Sequence, residues 1–281
     1  MGNSQRRSIL CPNCRRLISL DEDRCPYCGI SRPGSVLKNN FWTRALNRPE
    51  QLIKAVIYLN IGMYALALFY IPSKSSLSVG LFTFLSPDFK SLLYLGATGT
   101  IPIDQSGRWW SLLSASYLHA GILHIFFNMV AFRQLAPLVI QEFGTYRTVV
   151  IYTVGGTVGF FVSYLAGVRF TVGASAAVCA LIGASLYFGK SRGGTYGQMI
   201  YKQIGGWALM IFLFGFLVPN INNWGHGGGL VAGVLLGYLL GYRERSPERL
   251  PHKTLAGICA GLTVCVLAWA VFSALFYRLL A

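Results

Sequence analysis

A few polar side chains that could do chemistry stand inside long apolar stretches of the sequence. Ser175 lies in VGASAAVCALIGA, residues 172–184, and His226 opens the run HGGGLVAG. His124 and Asn128 lie in an earlier apolar stretch and, being four residues apart, would share one face of a helix. A serine hydroxyl becomes a nucleophile when a base such as histidine removes its proton. These residues predict nucleophilic catalysis, with Asn128 and His124 donating to a developing oxyanion.

The same residue types also fit a purely structural role. Small residues at four-residue spacing are common where membrane helices pack together. A single histidine within a membrane is often a packing or proton-relay residue. Because an ionisable group is costly to place inside a membrane, however, its presence there suggests a function. Residue types alone therefore leave catalysis and packing both open.

The elements that would position these residues are membrane-spanning helices. Apolar and aromatic residues make up 54% of the 281 residues and charged residues only 12%, against about 25% charged in a soluble domain. Seven apolar stretches are long enough to cross a bilayer core, which requires about 17–25 residues. They are residues 53–72, 113–132, 148–168, 172–189, 204–220, 226–242 and 255–277. The prediction is an all-α polytopic membrane protein whose short fourth, fifth and sixth spans leave a recess that water can enter.

Ser175 and His226 are expected at one depth in the membrane. Ser175 lies fifteen residues before Lys190, or roughly 22 Å above the inner edge at the helical rise per residue. His226 lies seventeen residues before Arg243, or roughly 25 Å above the same edge. The two heights agree within one helical turn, as a nucleophile and its base require.

The depth of Asn128 depends on where its helix ends. If Glu142 marks the inner edge, Asn128 lies about 21 Å above it, level with the other two residues. If Arg133 marks that edge, Asn128 lies far too deep. The arithmetic leaves both alternatives open.

The distribution of positive charge indicates topology rather than nucleic-acid binding. Of 24 lysines and arginines, ten lie from Arg6 to Lys54 and nine more at or near the even-to-odd connections between spans. Only five remain for the other side: Lys74, Lys90, Arg108, Arg169 and Arg278. By the positive-inside rule the N-terminus is cytoplasmic and the C-terminus outside. The net charge of +15 therefore reflects an integral membrane protein, with the lipid bilayer and not nucleic acid as its partner.

Two CxxC pairs near the N-terminus predict a metal site. The four cysteines are Cys11, Cys14, Cys25 and Cys28. Two such knuckles supply four thiolates to one tetrahedral Zn²⁺, which would provide the folding energy of a module too short for its own core. Disulfides or redox chemistry are the alternatives, and a cytoplasmic location disfavours disulfides. A closed four-cysteine site has no open position for a substrate, so the zinc is expected to be structural.

The apolar region resembles the rhomboid family of intramembrane serine proteases over roughly residues 50–242. Three motifs carry the resemblance, in order and at family spacing: HAGILHIFFN at 119–128, GAS at 173–175 and HGGGLVAG at 226–233. Glu142-Phe143-Gly144 with Arg147 and Tyr152 also looks like the family's passage from the second to the third span. The resemblance implies a helix ending near Glu142, which would place Asn128 level with Ser175. The seventh stretch resembles the appended helix of the 6+1 subclass.

What the resemblance implies for the site is a Ser175–His226 dyad without an acidic third member. Asn128, His124 and the backbone N–H of Ser175 would form the oxyanion hole, and His119 would hold water at the helix entrance. The long connection from Ser73 to Arg108 would be a partly embedded loop. No cofactor is implied for catalysis.

Three positions depart from the family pattern without removing a catalytic group. Ala176 follows the serine where the family usually has glycine, and Cys179 stands where an aromatic residue often stacks on the histidine. The Trp-Arg pair of the first loop reads Trp110-Ser111 here, with an arginine at Arg108 instead.

These observations predict a rhomboid-like six-helix bundle plus one C-terminal transmembrane helix, preceded by a small four-cysteine zinc ribbon. The predicted domains are a zinc-ribbon-like module at 1–34, a basic linker at 35–49, a catalytic core at 50–243, and a cytoplasmic loop with the seventh helix at 244–281. The predicted activity is cleavage of single-span or polytopic membrane proteins.

The main alternative is an inactive rhomboid-like protein that binds and escorts membrane clients. A transporter or channel would predict inverted repeats or broken helices at mid-membrane, which the sequence lacks. A cytoplasmic protein that binds the zinc ribbon is a further candidate partner. Paired reduced cysteines and the lack of a transit peptide favour a bacterial cytoplasmic membrane.

Overall fold

The computed structural model describes residues 8–12, 14–35, 49–71, 84–218 and 221–280. The chain divides into two compact units, Met1–Lys54 and Ala55–Ala281.

The N-terminal unit contains a two-stranded antiparallel sheet. Strand β1 covers Ser8–Leu10 and β2 covers Leu17–Ser19, with Ile9 paired to Ile18. Because alternate residues of a strand face opposite sides, Ile18 turns inward and packs with the buried Cys11 and Cys25. The cysteines thus supply much of the small core of this unit.

In the described residues, seven long helices account for most of the second unit. They are α1 (Pro49–Tyr70), α5 (Ile122–Phe143), α6 (Thr145–Leu165), α7 (Ser175–Arg192), α8 (Gly194–Leu217), α9 (Asn223–Leu240) and α10 (Leu250–Leu280). Five of these, within the described residues, are long and apolar enough to cross a membrane: α1, α5, α6, α8 and α10. Helices α7 and α9 have only 18 residues each. The all-α membrane fold expected from composition is confirmed.

Short helices fill the connection between α1 and α5. They are α2 (Phe89–Tyr94), α3 (Thr100–Ser106), α4 (Ser111–Ser114) and a 3₁₀ turn at Ala115–Tyr117. Thr98 pairs with Thr171 in an isolated bridge, which ties this connection to the segment just before α7. Residues 72–83 of the expected embedded loop lie outside the described residues.

The predicted limits of two spans are wrong. The second span was expected at 113–132, but its helix runs from Ile122 to Phe143. Residues 113–117 belong instead to the short helices, since hydropathy averaged over a span does not mark the residue at which a helix begins. The fifth span is not short either, because α8 begins at Gly194 and continues for 24 residues.

Helix α7 is the centre of the bundle. It packs against α5, α6, α8 and α9, and its residues from Ala176 to Ser185 are all buried. Its many alanines and glycines allow neighbouring backbones to approach closely, as is typical of tightly packed membrane helices. The helix that carries Ser175 is therefore held on every side by protein.

Candidate active site

Ser175 is the first residue of α7, and the loop before it is closely constrained. Gly173 has φ +133°, a conformation that residues with a side chain rarely adopt, and its N–H donates to the carbonyl of Ala115 at 2.9 Å. The backbone N–H groups of the first helical turn have no intrahelical acceptor. The start of α7 therefore presents the serine hydroxyl together with free N–H donors and the positive end of the helix dipole.

His226 meets Ser175 from the first turn of α9. Its Nε2 lies 2.8 Å from Ser175 Oγ, and its backbone N–H donates to the carbonyl of Asn222 at 3.1 Å. Within the described part of the chain, Nδ1 of His226 is buried without a hydrogen-bond partner. The pair thus has the contact that proton transfer requires, without a carboxylate behind the histidine.

Close packing of α9 on α7 brings the two side chains together. A Cβ at Gly229 would collide with the carbonyl oxygen of Ala176, and one at Gly233 with that of Ala180. Glycines at 229 and 233, at four-residue spacing, therefore let the backbone of α9 approach that of α7 closely.

His124 lies near the serine, and Asn128 lies one turn further along α5. A Cβ at Gly173 would be 2.7 Å from His124 Nε2 and 3.7 Å from Ser175 Oγ, so the imidazole borders the same space as the hydroxyl. The amide N–H of Ala120 donates to His124 Nδ1 at 3.4 Å, which leaves Nε2 as the protonated nitrogen of this neutral ring. Asn128 is buried, and its Nδ2 donates to the carbonyl of His124 at 2.8 Å.

The end of α5 favours one of the two alternatives for the depth of Asn128. The helix continues past Arg133 and ends at Phe143, with Glu142 in its last turn. Counted from Glu142, the helical rise gives Asn128 the height of about 21 Å that the first alternative requires.

His119 is fully buried beside His124, with ring centroids 5.0 Å apart. Its Nε2 accepts from the backbone N–H of Ala174 at 3.5 Å, one residue before the serine. In the described residues its Nδ1 has no partner. His119 thus supports the loop that carries Ser175.

The methyl group of Ala176 is accommodated by a glycine on the facing helix. Ala176 is buried with Ile103, Leu112 and Phe160, and a Cβ at Gly159 would lie 3.0 Å from the Ala176 methyl. Glycine at 159 therefore leaves room for the larger residue at 176.

The other two positions that depart from the family pattern are Cys179 and Arg108. Cys179 is buried inside the bundle, and in the described residues no aromatic ring stacks on His226. Arg108 donates from Nη1 to the carbonyl of Leu93 at 2.8 Å, so it fastens the connection between α1 and α5 from its displaced position.

Asn222 is a positioning residue that the sequence reasoning missed. As the N-cap of α9, its Oδ1 accepts from the N–H of Gly225 at 2.9 Å. Its Nδ2 donates to Ser163 Oγ at 2.6 Å and to Thr171 Oγ1 at 3.0 Å. An asparagine directly before the first helical residue is a known cap signal. Its bonds to Ser163 and Thr171 join residues far apart in the sequence, so no local sequence pattern predicts them.

The four N-terminal cysteines converge on one point. The sulfur atoms of Cys11, Cys14, Cys25 and Cys28 all lie within 4.8 Å of one another. A backbone hydrogen bond at Arg16 lowers the pKa of the Cys14 thiol, but desolvation and the neighbouring thiols outweigh it and raise that pKa to about 11. A cation at the centre would favour the thiolates instead, so this donor set fits a tetrahedral metal ion.

Comparison with known proteins identifies a domain within the helical unit. Residues 106–243 match the family model of the rhomboid domain. The chain is 35% identical over 152 residues to rhomboid protease GluP of Bacillus subtilis (strain 168), covering 53% of this chain and 29% of that protein. It is 32% identical over 130 residues to putative rhomboid protease YdcA of the same organism, covering 46% of this chain and 65% of that protein.

A relative described as inactive also matches. Inactive RHOMBOID-like protein 8 of Arabidopsis thaliana is 28% identical over 152 residues, covering 53% of this chain and 43% of that protein. The chain spans less than two thirds of the length of each of these three relatives.

The fold and site define a helical membrane protein in which a serine and a histidine meet between two short helices. Residues 106–243 of this chain match the rhomboid domain, and its N-terminal cysteine cluster is consistent with a zinc-ribbon-like module.

Proposed function

We propose that this chain is an intramembrane serine endopeptidase that uses Ser175 and His226 as a dyad. The observation that carries the proposal is the 2.8 Å contact between Ser175 Oγ and His226 Nε2. Two relatives described as rhomboid proteases, one of them putative, support the same activity.

In the proposed reaction, His226 Nε2 takes the proton of the Ser175 hydroxyl as Oγ attacks the carbonyl carbon of the scissile bond. The C–N bond then breaks, and the imidazolium returns the proton to the leaving amine. A water molecule, deprotonated by the same nitrogen, hydrolyses the acyl-enzyme and releases the serine. Nδ1 of His226 must carry a proton throughout. No carboxylate of the described residues accepts a hydrogen bond from Nδ1 and orients the ring, so the orientation of His226 depends on the position of α9.

The developing oxyanion would be stabilised by three donors. They are the backbone N–H of Ser175 at the start of α7, the Nε2–H of His124, and the Nδ2 of Asn128, whose second N–H is not used in the bond to His124. Such donors act strongly in a site that excludes bulk water. The proposed substrates are membrane proteins cut near the end of a span, since Ser175 begins its helix rather than lying at mid-membrane.

The first experiment is cleavage of a single-span substrate by purified protein in liposomes. We expect a product with wild type and none with Ser175→Ala. Ser185→Ala is the matched control, because Ser185 is another buried serine of α7 and bonds only to the carbonyl of Leu181. Labelling with a fluorophosphonate, which reacts with activated serines, tests the nucleophile without requiring the right substrate.

The results separate the protease from a client-binding protein. Cleavage that survives Ser175→Ala contradicts the dyad. A folded wild type that neither cleaves several substrates nor reacts with the fluorophosphonate favours the inactive alternative, for which the inactive plant relative is a precedent.

We also propose that the four cysteines bind one structural Zn²⁺. The proposed domains are the module at 1–34, the linker at 35–49, the core at 50–243 and the segment 244–281.

The proposed orientation has the N-terminus in the cytoplasm and the C-terminus outside, in a bacterial cytoplasmic membrane. Labelling of single introduced cysteines from each side of sealed vesicles tests this orientation. A cytoplasmic protein partner of the zinc ribbon is a further candidate.

A further inference from the structure

Three tyrosines form a row at the end of the bundle where α1 and α10 both finish. Tyr70 ends α1, Tyr94 ends α2 and Tyr277 lies in the last turns of α10. The ring centroids of Tyr70 and Tyr94 are 6.2 Å apart, and those of Tyr94 and Tyr277 are 5.7 Å apart. Tyr70 also donates its hydroxyl to the carbonyl of Ala274. The row is therefore a fixed surface rather than three independent side chains.

An arginine lies against each end of this row. The guanidinium carbon of Arg108 lies 5.6 Å from the ring centroid of Tyr277, and that of Arg278 lies 5.6 Å from the ring centroid of Tyr70. Arg108 uses Nη1 for its bond to Leu93, which leaves its other N–H groups available. Arg278 is exposed. The row with its two arginines is called the Tyr-Arg patch below.

Neither arginine has an acidic partner among the described residues. In the described residues the one ion pair joins Arg192 to Glu244. Arg192 is the last residue of α7 and Glu244 follows the end of α9, so this pair lies at the other end of the bundle from the patch. The Tyr-Arg patch therefore carries two positive charges without a counter-charge from this part of the protein. Stacking on tyrosine stabilises a guanidinium but does not neutralise it.

The position of the patch suggests what supplies the negative charge. Tyrosine and arginine near the ends of membrane-spanning helices lie at the level of the lipid headgroups. Tyr277 is 49% exposed, so its hydroxyl is accessible there. A guanidinium matches a phosphate geometrically by paired hydrogen bonds. A zwitterionic headgroup also brings a cation, which the two arginines would repel.

We propose that the Tyr-Arg patch binds the phosphodiester headgroup of an anionic phospholipid in the leaflet at this end of the bundle. Arg108 and Arg278 supply the charge, and the hydroxyls of Tyr94 and Tyr277 supply further donors. A bound headgroup would link α10 to the connection between α1 and α5, so it would stabilise the seventh helix against the rest of the bundle. This proposal does not depend on proteolytic activity.

The test measures lipid binding to the delipidated full chain in detergent. Phosphatidylglycerol and phosphatidylcholine are titrated separately, and bound lipid is counted by native mass spectrometry alongside thermal unfolding. We expect wild type to bind phosphatidylglycerol more tightly and to unfold at a higher temperature with it. Arg278→Gln should weaken that binding roughly tenfold, as expected for the loss of a charge-assisted hydrogen bond.

Arg169→Gln is the matched control, because Arg169 is an exposed arginine in the loop after α6, at the same end of the bundle. It makes the same charge change at an arginine that is not one of the two stacked on the tyrosines, and it should bind as wild type does. Arg278→Lys should restore part of the affinity, and Tyr277→Phe tests the hydroxyl while keeping the ring. Arg278→Gln is preferred to Arg108→Gln, since Arg108 also holds Leu93.

Several results would overturn the proposal. Equal binding of the two lipids would exclude recognition of an anionic headgroup. Equal losses in Arg278→Gln and Arg169→Gln would indicate a general charge effect. Displacement of the lipid by inorganic phosphate at equal concentration would mean that the patch recognises the free ion and not the lipid.

Discussion

At the scale of single residues, the position of His226 depends on the side chain of Asn222. This side chain caps α9 and donates to both Ser163 and Thr171. Asn222→Ala removes all three bonds, and loss of a cap alone costs about 1 kcal/mol. We expect kcat of the proposed reaction to fall at least about tenfold with a smaller change in KM, because small misplacements of a base are costly. Initial cleavage rates and thermal unfolding of the variant measure both effects.

Asn222→Asp separates the two functions of this side chain. It keeps an oxygen that can cap Gly225 but removes the donors to Ser163 and Thr171. An intermediate rate is expected. A wild-type rate in Asn222→Ala would mean that the packing of α9 on α7 positions His226 unaided.

At the scale of elements, the connection between α9 and α10 is fastened to the start of α6. Glu248 Oε1 accepts from the N–H groups of Tyr146 at 2.8 Å and Arg147 at 3.0 Å. The buried Arg147 in turn donates to the carbonyl and hydroxyl of Ser246. A carboxylate at a helix N-terminus is stabilising, so Glu248→Gln should lower the free energy of unfolding by about 1 kcal/mol. Thermal unfolding in detergent measures the loss.

Glu244→Gln is the control from the same connection. Glu244 is half exposed and pairs with Arg192 at 2.9 Å, and exposed ion pairs contribute about 0–1 kcal/mol. We therefore expect a smaller loss than for Glu248→Gln. Equal losses in the two variants would show that the helix N-terminus adds nothing to the role of Glu248.

At the scale of the whole molecule, the metal site and the helical bundle belong to separate compact units. Removal of the metal should therefore unfold the N-terminal unit and leave the bundle intact. Cys25→Ser or a strong chelator should reduce bound zinc from about one ion per chain to none. The unfolded backbone should then be cleaved by trypsin after Arg16 and Arg24, whose side chains are exposed already in the folded unit. Helical circular dichroism and the thermal unfolding of the bundle should stay unchanged.

Cys265→Ser is the matched control, since Cys265 is an exposed cysteine of α10 outside the cluster. It should retain the metal. Acid should also release the metal, because protons compete with the ion for the thiolates. Zinc retained by Cys25→Ser would contradict the four-cysteine site, and a bundle that unfolds with the chelator would contradict the independence of the two units.

What the sequence determined by itself is the chemistry and the class of protein. Apolar runs of spanning length, two CxxC pairs and three short motifs sufficed to predict a helical membrane protein, a metal cluster and the meeting of Ser175 with His226. Each of these signals is local: a residue type at a fixed spacing, or an average over about 20 residues.

Only the tertiary structure decided where α5 begins, how long α8 is, and what holds the site. Residues 113–117 lie at the start of an expected span, yet they form short helices in which all but Leu113 are buried in protein. An average of hydropathy over about 20 residues does not show where one helix ends and the next begins. The bonds of Asn222 to Ser163 and of Glu248 to Arg147 join residues 59 and 101 positions apart. Such contacts depend on how the helices pack in three dimensions, so no pattern along the chain records them.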